Sequence, residues 1–163
     1  LGMFQGRRVD RAKRSIYLSA ARSTVFNHLL AERVMQGNWN QALAGEVWML
    51  EGTKSIFGPE AFTDELAQRL AELDIHPTGP MWGNGELRSQ QQVLELESKL
   101  TAQFPEICIG LAKADLRQER RALRLLVKNL AWNVLADNVL QLSFELPPGA
   151  YATSVLAELG DFS

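Results

Sequence analysis

Two short stretches set residue types that do chemistry at spacings that matter. In residues 13–27, KRSIYLSAARSTVFN, Arg22 stands four residues after Leu18 and four before Phe26, so a helix here carries the arginine stem on its apolar side. A guanidinium in that setting needs a carboxylate, carbonyl oxygens or a phosphate, because an unpaired buried charge is costly. Arg22 therefore reads either as part of a buried ion pair or as an anion contact behind a basic arm. In residues 146–154, LPPGAYATS, a strand ends in the rigid Pro147-Pro148-Gly149 turn and leaves Tyr151 at the mouth of a new helix. Tyr151 either plugs the end of a sheet or lines a cleft, where an aromatic ring can stack on a nucleobase for about 1–3 kcal/mol.

Other catalytic signatures are missing from the sequence. His28, His76 and Cys108 have no metal-ligand spacing, and there is no CxxC, HExxH, Walker loop or nucleophile elbow, so no metal site is expected. Gly83-Asn84-Gly85 reads as a structural turn, or as backbone amides offered to a phosphate ahead of a helix. The single cysteine rules out an internal disulfide and suits a reducing, cytoplasmic compartment. No run approaches the roughly 20 apolar residues of a membrane span. The chain opens on Leu1, which suggests a piece of something longer.

A net charge of −2 conceals a segregation. Arg7, Arg8, Arg11, Lys13, Arg14 and Arg22 face only Asp10 within residues 1–22, and Lys113, Arg117, Arg120, Arg121, Arg124 and Lys128 face Asp115 and Glu119 within residues 113–128. The rest of the chain is acidic. Two basic blocks can form one positive patch for a polyanion, or they can be ordinary solvated charge runs.

The elements that would position these residues follow from periodicity. A helix is expected from an N-cap at Ser15 to Gln36, with Leu18, Val25, Phe26, Leu29, Leu30 and Val34 as its stripe. Small strands are expected at Val47–Leu50 and Ser55–Phe57, and Thr63 caps a second helix to Leu73. The segment His76–Gly85, rich in Pro and Gly, reads as a bend; helices follow over Glu86–Gln103 and from Pro105. Past the second basic block the texture turns to strands, at Arg121–Val127, Leu130–Leu135 and the strictly alternating Leu140–Leu146, and a short helix closes the chain. The expected class is α+β, with a largely helical module over 1–120 and a hairpin-and-helix piece over 121–163. One hairpin and one helix are too little for an independent domain. Their sheet is expected to continue outside this chain.

KRSIYLSAARSTVFN, TGPMWGNGEL (78–87), RRALRLLVKNLAWNV (120–134) and LPPGAYATSVLAEL (146–159) together, in order and spacing, resemble the TruD family of tRNA pseudouridine synthases. The resemblance covers essentially the whole chain. It implies an isomerase without a cofactor that turns a uridine out of tRNA, breaks its N-glycosidic bond and rejoins the base through carbon. It also implies a mixed-sheet catalytic domain interrupted by a largely helical insertion, so that residues 1–120 match the insertion and 121–163 the returning end of the catalytic sheet.

The family's essential aspartate lies in a Gly-x-Lys-Asp-Lys stretch that this chain lacks, so no catalytic residue is expected here. The N-terminal half of the catalytic domain becomes an expected partner, alongside tRNA. Tyr151 matches the family's aromatic position in the active-site cleft, whereas Ala157 replaces its usual arginine, and the family's Phe-Gly-x-Gln-Arg-Phe-Gly stretch is missing. Arg8, Arg11, Lys13, Arg14, Arg22, Arg120, Arg121 and Arg124 are candidate RNA contacts by charge. A non-catalytic RNA-binding module, or an interaction fragment with an exposed sheet edge, is the rival reading.

Overall fold

A computed structural model describes residues 11–160 and shows an α+β chain that divides into two compact units between Arg124 and Leu125. In the first unit, α1 (Arg11–Met35) is already helical at the first described residue, so Ser15 sits inside the helix rather than capping it. The run Arg11-Ala12-Lys13-Arg14 consists of strong helix formers, and they extend the helix past the expected start. Val25, Phe26 and Leu29 are buried as the stripe predicts, but Val34 is 51% exposed.

Four strands form one antiparallel sheet in the order β2-β1-β3-β4: β1 (Trp48–Leu50), β2 (Ile56–Phe57), β3 (Ile75–Met81) and β4 (Glu119–Ala122). The largest departure from expectation is β3. The segment that reads as a bend is a strand with all seven residues buried, despite Pro77 and Pro80. A proline deprives a sheet of one donor, which normally excludes it from a strand paired on both sides. Here β1 pairs with Ile75–Pro77 and β4 with Thr78–Met81, so the strand changes partner halfway; Pro80 is paired on the β4 side alone, and Pro77, beside Trp48 of β1, offers only its carbonyl to Leu123 N–H just past β4.

Gly79 shows how tightly β3 meets α1. A Cβ at that position would lie 2.8 Å from Leu29 Cδ2 and 3.1 Å from Phe26 Cε2. Around this contact Phe26, Met81 and Leu123 form one apolar cluster; Trp48, Leu66 and Ile75 form a second. The helix α2 (Asp64–Ala71) opens as expected, with Leu66 N–H donating to Thr63 Oγ1 at 3.3 Å.

The third helix, α3 (Gln91–Thr101), starts five residues later than the periodicity suggests. Gln90 and Val93 N–H groups donate to the Gly45 and Ala44 carbonyls, so a neighbouring loop satisfies the helix start in place of a further turn. Gly45 has a φ of +84°, and a Cβ there would collide with the Gln90 backbone. A fourth helix, α4 (Pro105–Lys113), begins with its proline in the first turn, as read.

The expected strand at Arg121–Val127 instead forms as β4, shifted back to Glu119–Ala122, and it belongs to the first unit because it pairs with β3. The division thus falls a few residues beyond the change of texture in the sequence.

The second unit is a hairpin and a helix. Strands β5 (Lys128–Leu135) and β6 (Val139–Glu145) pair antiparallel around a 3-10 turn in which Asn138 takes a φ of 61°. The helix α5 (Ala152–Ala157) follows. Trp132 pairs with Leu142 and Val134 with Leu140, so these apolar residues share one face of the hairpin. None of the described residues in this unit is buried, and Trp132 is 71% exposed.

Candidate functional site

The basic residues sort into two groups once their guanidinium groups are followed. Arg22 is held within the fold. Its Nε donates to Trp82 O at 3.0 Å, its Nη2 to Met81 O at 2.8 Å and Arg117 O at 2.6 Å, and its Nη1 to Glu119 Oε2 at 3.0 Å. Of the partners open to it in the sequence, it takes one carboxylate and three carbonyls rather than a phosphate. The effect is to clasp the middle of α1 to the chain around the start of β4. The two basic blocks, far apart in sequence, therefore adjoin in space.

Arg120 is more deeply held. Its Nη1 and Nη2 donate to the two oxygens of Glu97 at 3.0 and 2.7 Å, while Nε and Nη2 also reach Thr78 Oγ1 and O at 2.9 Å. Both side chains of this pair are essentially inaccessible. Fork-to-fork geometry of this kind supplies both strength and direction. Ser89 Oγ completes the carboxylate's shell at 2.5 Å.

Arg124 donates from Nε to His76 Nδ1 at 3.0 Å and from Nη2 to Leu70 O and Ile75 O at 2.7 and 2.9 Å. An arginine nitrogen is always a donor, so His76 Nδ1 must accept, which places the neutral ring's proton on Nε2, 2.8 Å from Glu51 Oε2. The N–H groups of Arg22 and Arg120 that bond inside the fold, and those on Nε and Nη2 of Arg124, are not free to grip a phosphate backbone.

Lys13, Arg14 and Arg121 remain at the surface. The Arg121 guanidinium carbon lies 5.2 Å above the Phe26 ring centre, so an apolar residue of α1 supports a cation of β4. Arg8 and the Arg11 side chain lie outside the described residues.

Gly83-Asn84-Gly85 is a structural turn. Asn84 N–H donates to Leu116 O, Gln118 N–H donates to Asn84 O, and Asn84 Nδ2 reaches Ala112 O. Asn84 N–H, one of the amides a phosphate would need, is thereby occupied, and α3 begins six residues further on. Among the described residues no three His, Cys, Asp or Glu side chains converge as metal ligands, and no helix is long and apolar enough to cross a membrane. Cys108 is buried, and desolvation pushes its thiol pKa up.

Tyr151 is the N-cap residue of α5, held behind the turn in which Gly149 has a φ of +89° and Ala150 N–H donates to Pro147 O. Its ring is 72% exposed and does not plug the hairpin.

Two buried ionic groups escape the sequence reading. Glu97 lies four residues after Val93 and three before Leu100, on the apolar stripe of α3, so the spacing that singles out Arg22 could have found it. Arg33 likewise follows Leu29 by four. It pairs with Glu46 at 2.9 Å, and burial raises the Glu46 carboxyl while Arg33 opposes the shift. Glu46 itself lies in an irregular segment with no period to read.

Comparison with known proteins adds to this geometry. The family described as tRNA pseudouridine synthase D (TruD) matches residues 6–159. A tRNA pseudouridine synthase D of Xanthomonas axonopodis pv. citri is 53% identical over 157 residues, covering 95% of this chain and 42% of that protein. Its counterpart in Aeromonas salmonicida is 50% identical over 158 residues, covering 96% of this chain and 45% of that protein. This chain thus spans less than half the length of the curated relatives it matches. A crystal structure titled tRNA pseudouridine synthase D from Methanosarcina mazei superposes with a TM-score of 0.65 at 23% identity, over 84% of this chain and 36% of that one, and it supports the fold.

Proposed function

Because the chain belongs to the tRNA pseudouridine synthase D family, we propose that it is the RNA-gripping part and one active-site wall of an isomerase that converts a uridine of tRNA to pseudouridine. Residues up to Arg124 act as the family's insertion module. Residues from Leu125 act as the returning edge of a catalytic sheet whose remainder, with the attacking aspartate, comes from an N-terminal half.

The observation that carries this reading is the seam between α1 and β4. There Arg22 and Arg121 bring the two basic blocks together, leaving Lys13, Arg14 and Arg121 outward as phosphate contacts. The hairpin supports the second part. Leu130, Trp132, Val134 and Leu140 are each at least half exposed, an apolar face that a further strand layer would cover. Tyr151, open at the end of that hairpin, faces a turned-out nucleotide. With its lone cysteine reduced, the protein works in the cytoplasm.

The test uses full-length protein carrying this segment. Charge reversal at Lys13, Arg14 and Arg121 together should weaken tRNA binding and flatten its dependence on salt. Tyr151→Ala should slow uridine isomerisation at least tenfold while leaving tRNA affinity nearly unchanged. An enzyme indifferent to both sets of changes would refute the assignment. RNA binding without any isomerisation in the wild-type full-length protein would favour the rival reading of a binding module, and loss of that binding at high salt would then identify the charged surface.

A further inference from the structure

Arg124 differs from the other arginines that bond inside the fold. Arg22, Arg33, Arg69 and Arg120 each hold a carboxylate, from Glu119, Glu46, Asp74 and Glu97 respectively. Among the described residues Arg88 bonds only the Gly58 carbonyl, but it is exposed to water. Arg124 is half-buried and holds only neutral acceptors, through Nε and Nη2; its third nitrogen, Nη1, has no hydrogen-bond partner among the described residues. Burial lowers its pKa. A partly desolvated guanidinium with a spare donor is a place for an anion.

The surroundings narrow the choice of anion. Arg124 lines a pocket of about 490 Å³ together with Asn40, Gln41, Phe62 and Leu70. The pocket is open to solvent over much of its rim, so it would hold a ligand by one face and an edge rather than enclose it. Phe62 is 51% exposed, and its ring stacks against the buried Trp48 at 6.0 Å and 26°, so an indole backs it as a platform. Gln41 Nε2 donates to Gly37 O, which leaves its Oε1 as an acceptor, and the Asn40 side chain is exposed with no hydrogen bond among the described residues. A cationic donor, an aromatic wall and amides able to donate and accept therefore line one pocket. Those are the three things a nucleotide offers partners for: phosphate, base face and base edge.

We propose that this pocket binds one unpaired RNA nucleotide, its phosphate on Arg124 Nη1, its base against Phe62 and its base edge at Asn40. The choice of a nucleotide over another aromatic anion rests on the RNA-directed function proposed above. The residues that line the pocket all belong to the first unit.

The 163-residue chain can be titrated with uridine 5′-monophosphate, adenosine 5′-monophosphate, ribose 5-phosphate and acetate while the Arg124 Nε–H and the Asn40 side-chain amide are followed by NMR. Both nucleotides should shift these signals, and ribose 5-phosphate should bind about five- to tenfold more weakly for want of a base to stack. Phe62→Ala should erase that difference, and Phe62→Leu, which keeps bulk against Trp48, should do the same if the alanine variant disturbs the fold. Asn40→Asp should weaken every phosphate ligand about fivefold by placing a like charge at the site. Unmoved Arg124 and Asn40 signals at millimolar nucleotide, or equal binding of nucleotide, sugar phosphate and acetate, would overturn the proposal. So would a Phe62→Leu chain that still prefers nucleotides. Isomerisation of tRNA by the full-length protein is read separately, so activity without nucleotide shifts removes the pocket and leaves the function standing.

Discussion

The two units treat their apolar and charged residues in opposite ways. The first hides Trp48, Ile75, Val93 and Leu111 almost completely and brings whole ion pairs, Arg33–Glu46 and Arg120–Glu97, in with them. The second has an equally clear pattern in its sequence, with β6 alternating faultlessly, yet none of its described residues is buried. Amphipathic periodicity states which face wants cover; it does not supply the cover. Only a unit that folds back on itself with enough layers can do so, and a hairpin with one short helix cannot.

The harshest way to break this contrast is to remove an acid from the first unit. Glu97→Ala leaves the Arg120 guanidinium buried and unpaired, and about 3–5 kcal/mol should be lost from denaturant unfolding of the chain. A near-neutral result would mean that the first unit is not held together as described. Next is Gly79→Ala. The added methyl meets Leu29 and Phe26 of α1 at distances that force one of them to move, and about 1–3 kcal/mol should be lost in the same measurement. Thr63→Ala removes the one side-chain cap of α2 and should cost about 1 kcal/mol. The smallest effect sharpens the comparison from the other side: Trp132→Ser, at a position 71% exposed, should change the stability of this chain by no more than about 0.5 kcal/mol. The same substitution in full-length protein should be clearly destabilising if another layer covers the hairpin.

Where periodicity and end signals agree, the sequence is legible. The stripe Val25-Phe26-Leu29, the Thr63 cap, the Pro105 start and the β6 alternation all appear where the residues place them. Its failures have identifiable causes. β3 reads as a bend because Pro77, Gly79 and Pro80 carry strong local preferences, which a strand that changes partner midway can tolerate. α3 starts late because carbonyls of the 44–45 loop, invisible to any local window, satisfy its first amides.

At the candidate site, Arg22 was readable as a residue in need of partners, but the identity of those partners depends on tertiary structure. Charge alone could not separate Arg121, which stays outside, from Arg120, its neighbour in sequence, because strand alternation sends adjacent residues to opposite faces. The Arg124–His76–Glu51 chain joins three segments and has no linear signature at all.

That chain also acts as a mooring. Arg124 is the last residue before the division between the units, and it is tied to the end of α2 and the start of β3 by side-chain bonds as well as through its proximity to β4. A pull on the polypeptide beyond it is met by three hydrogen bonds before it can peel a strand. Proteolytic nicking just after Arg124 should therefore leave the helices and sheet of the first unit intact, as circular dichroism of the nicked chain would show.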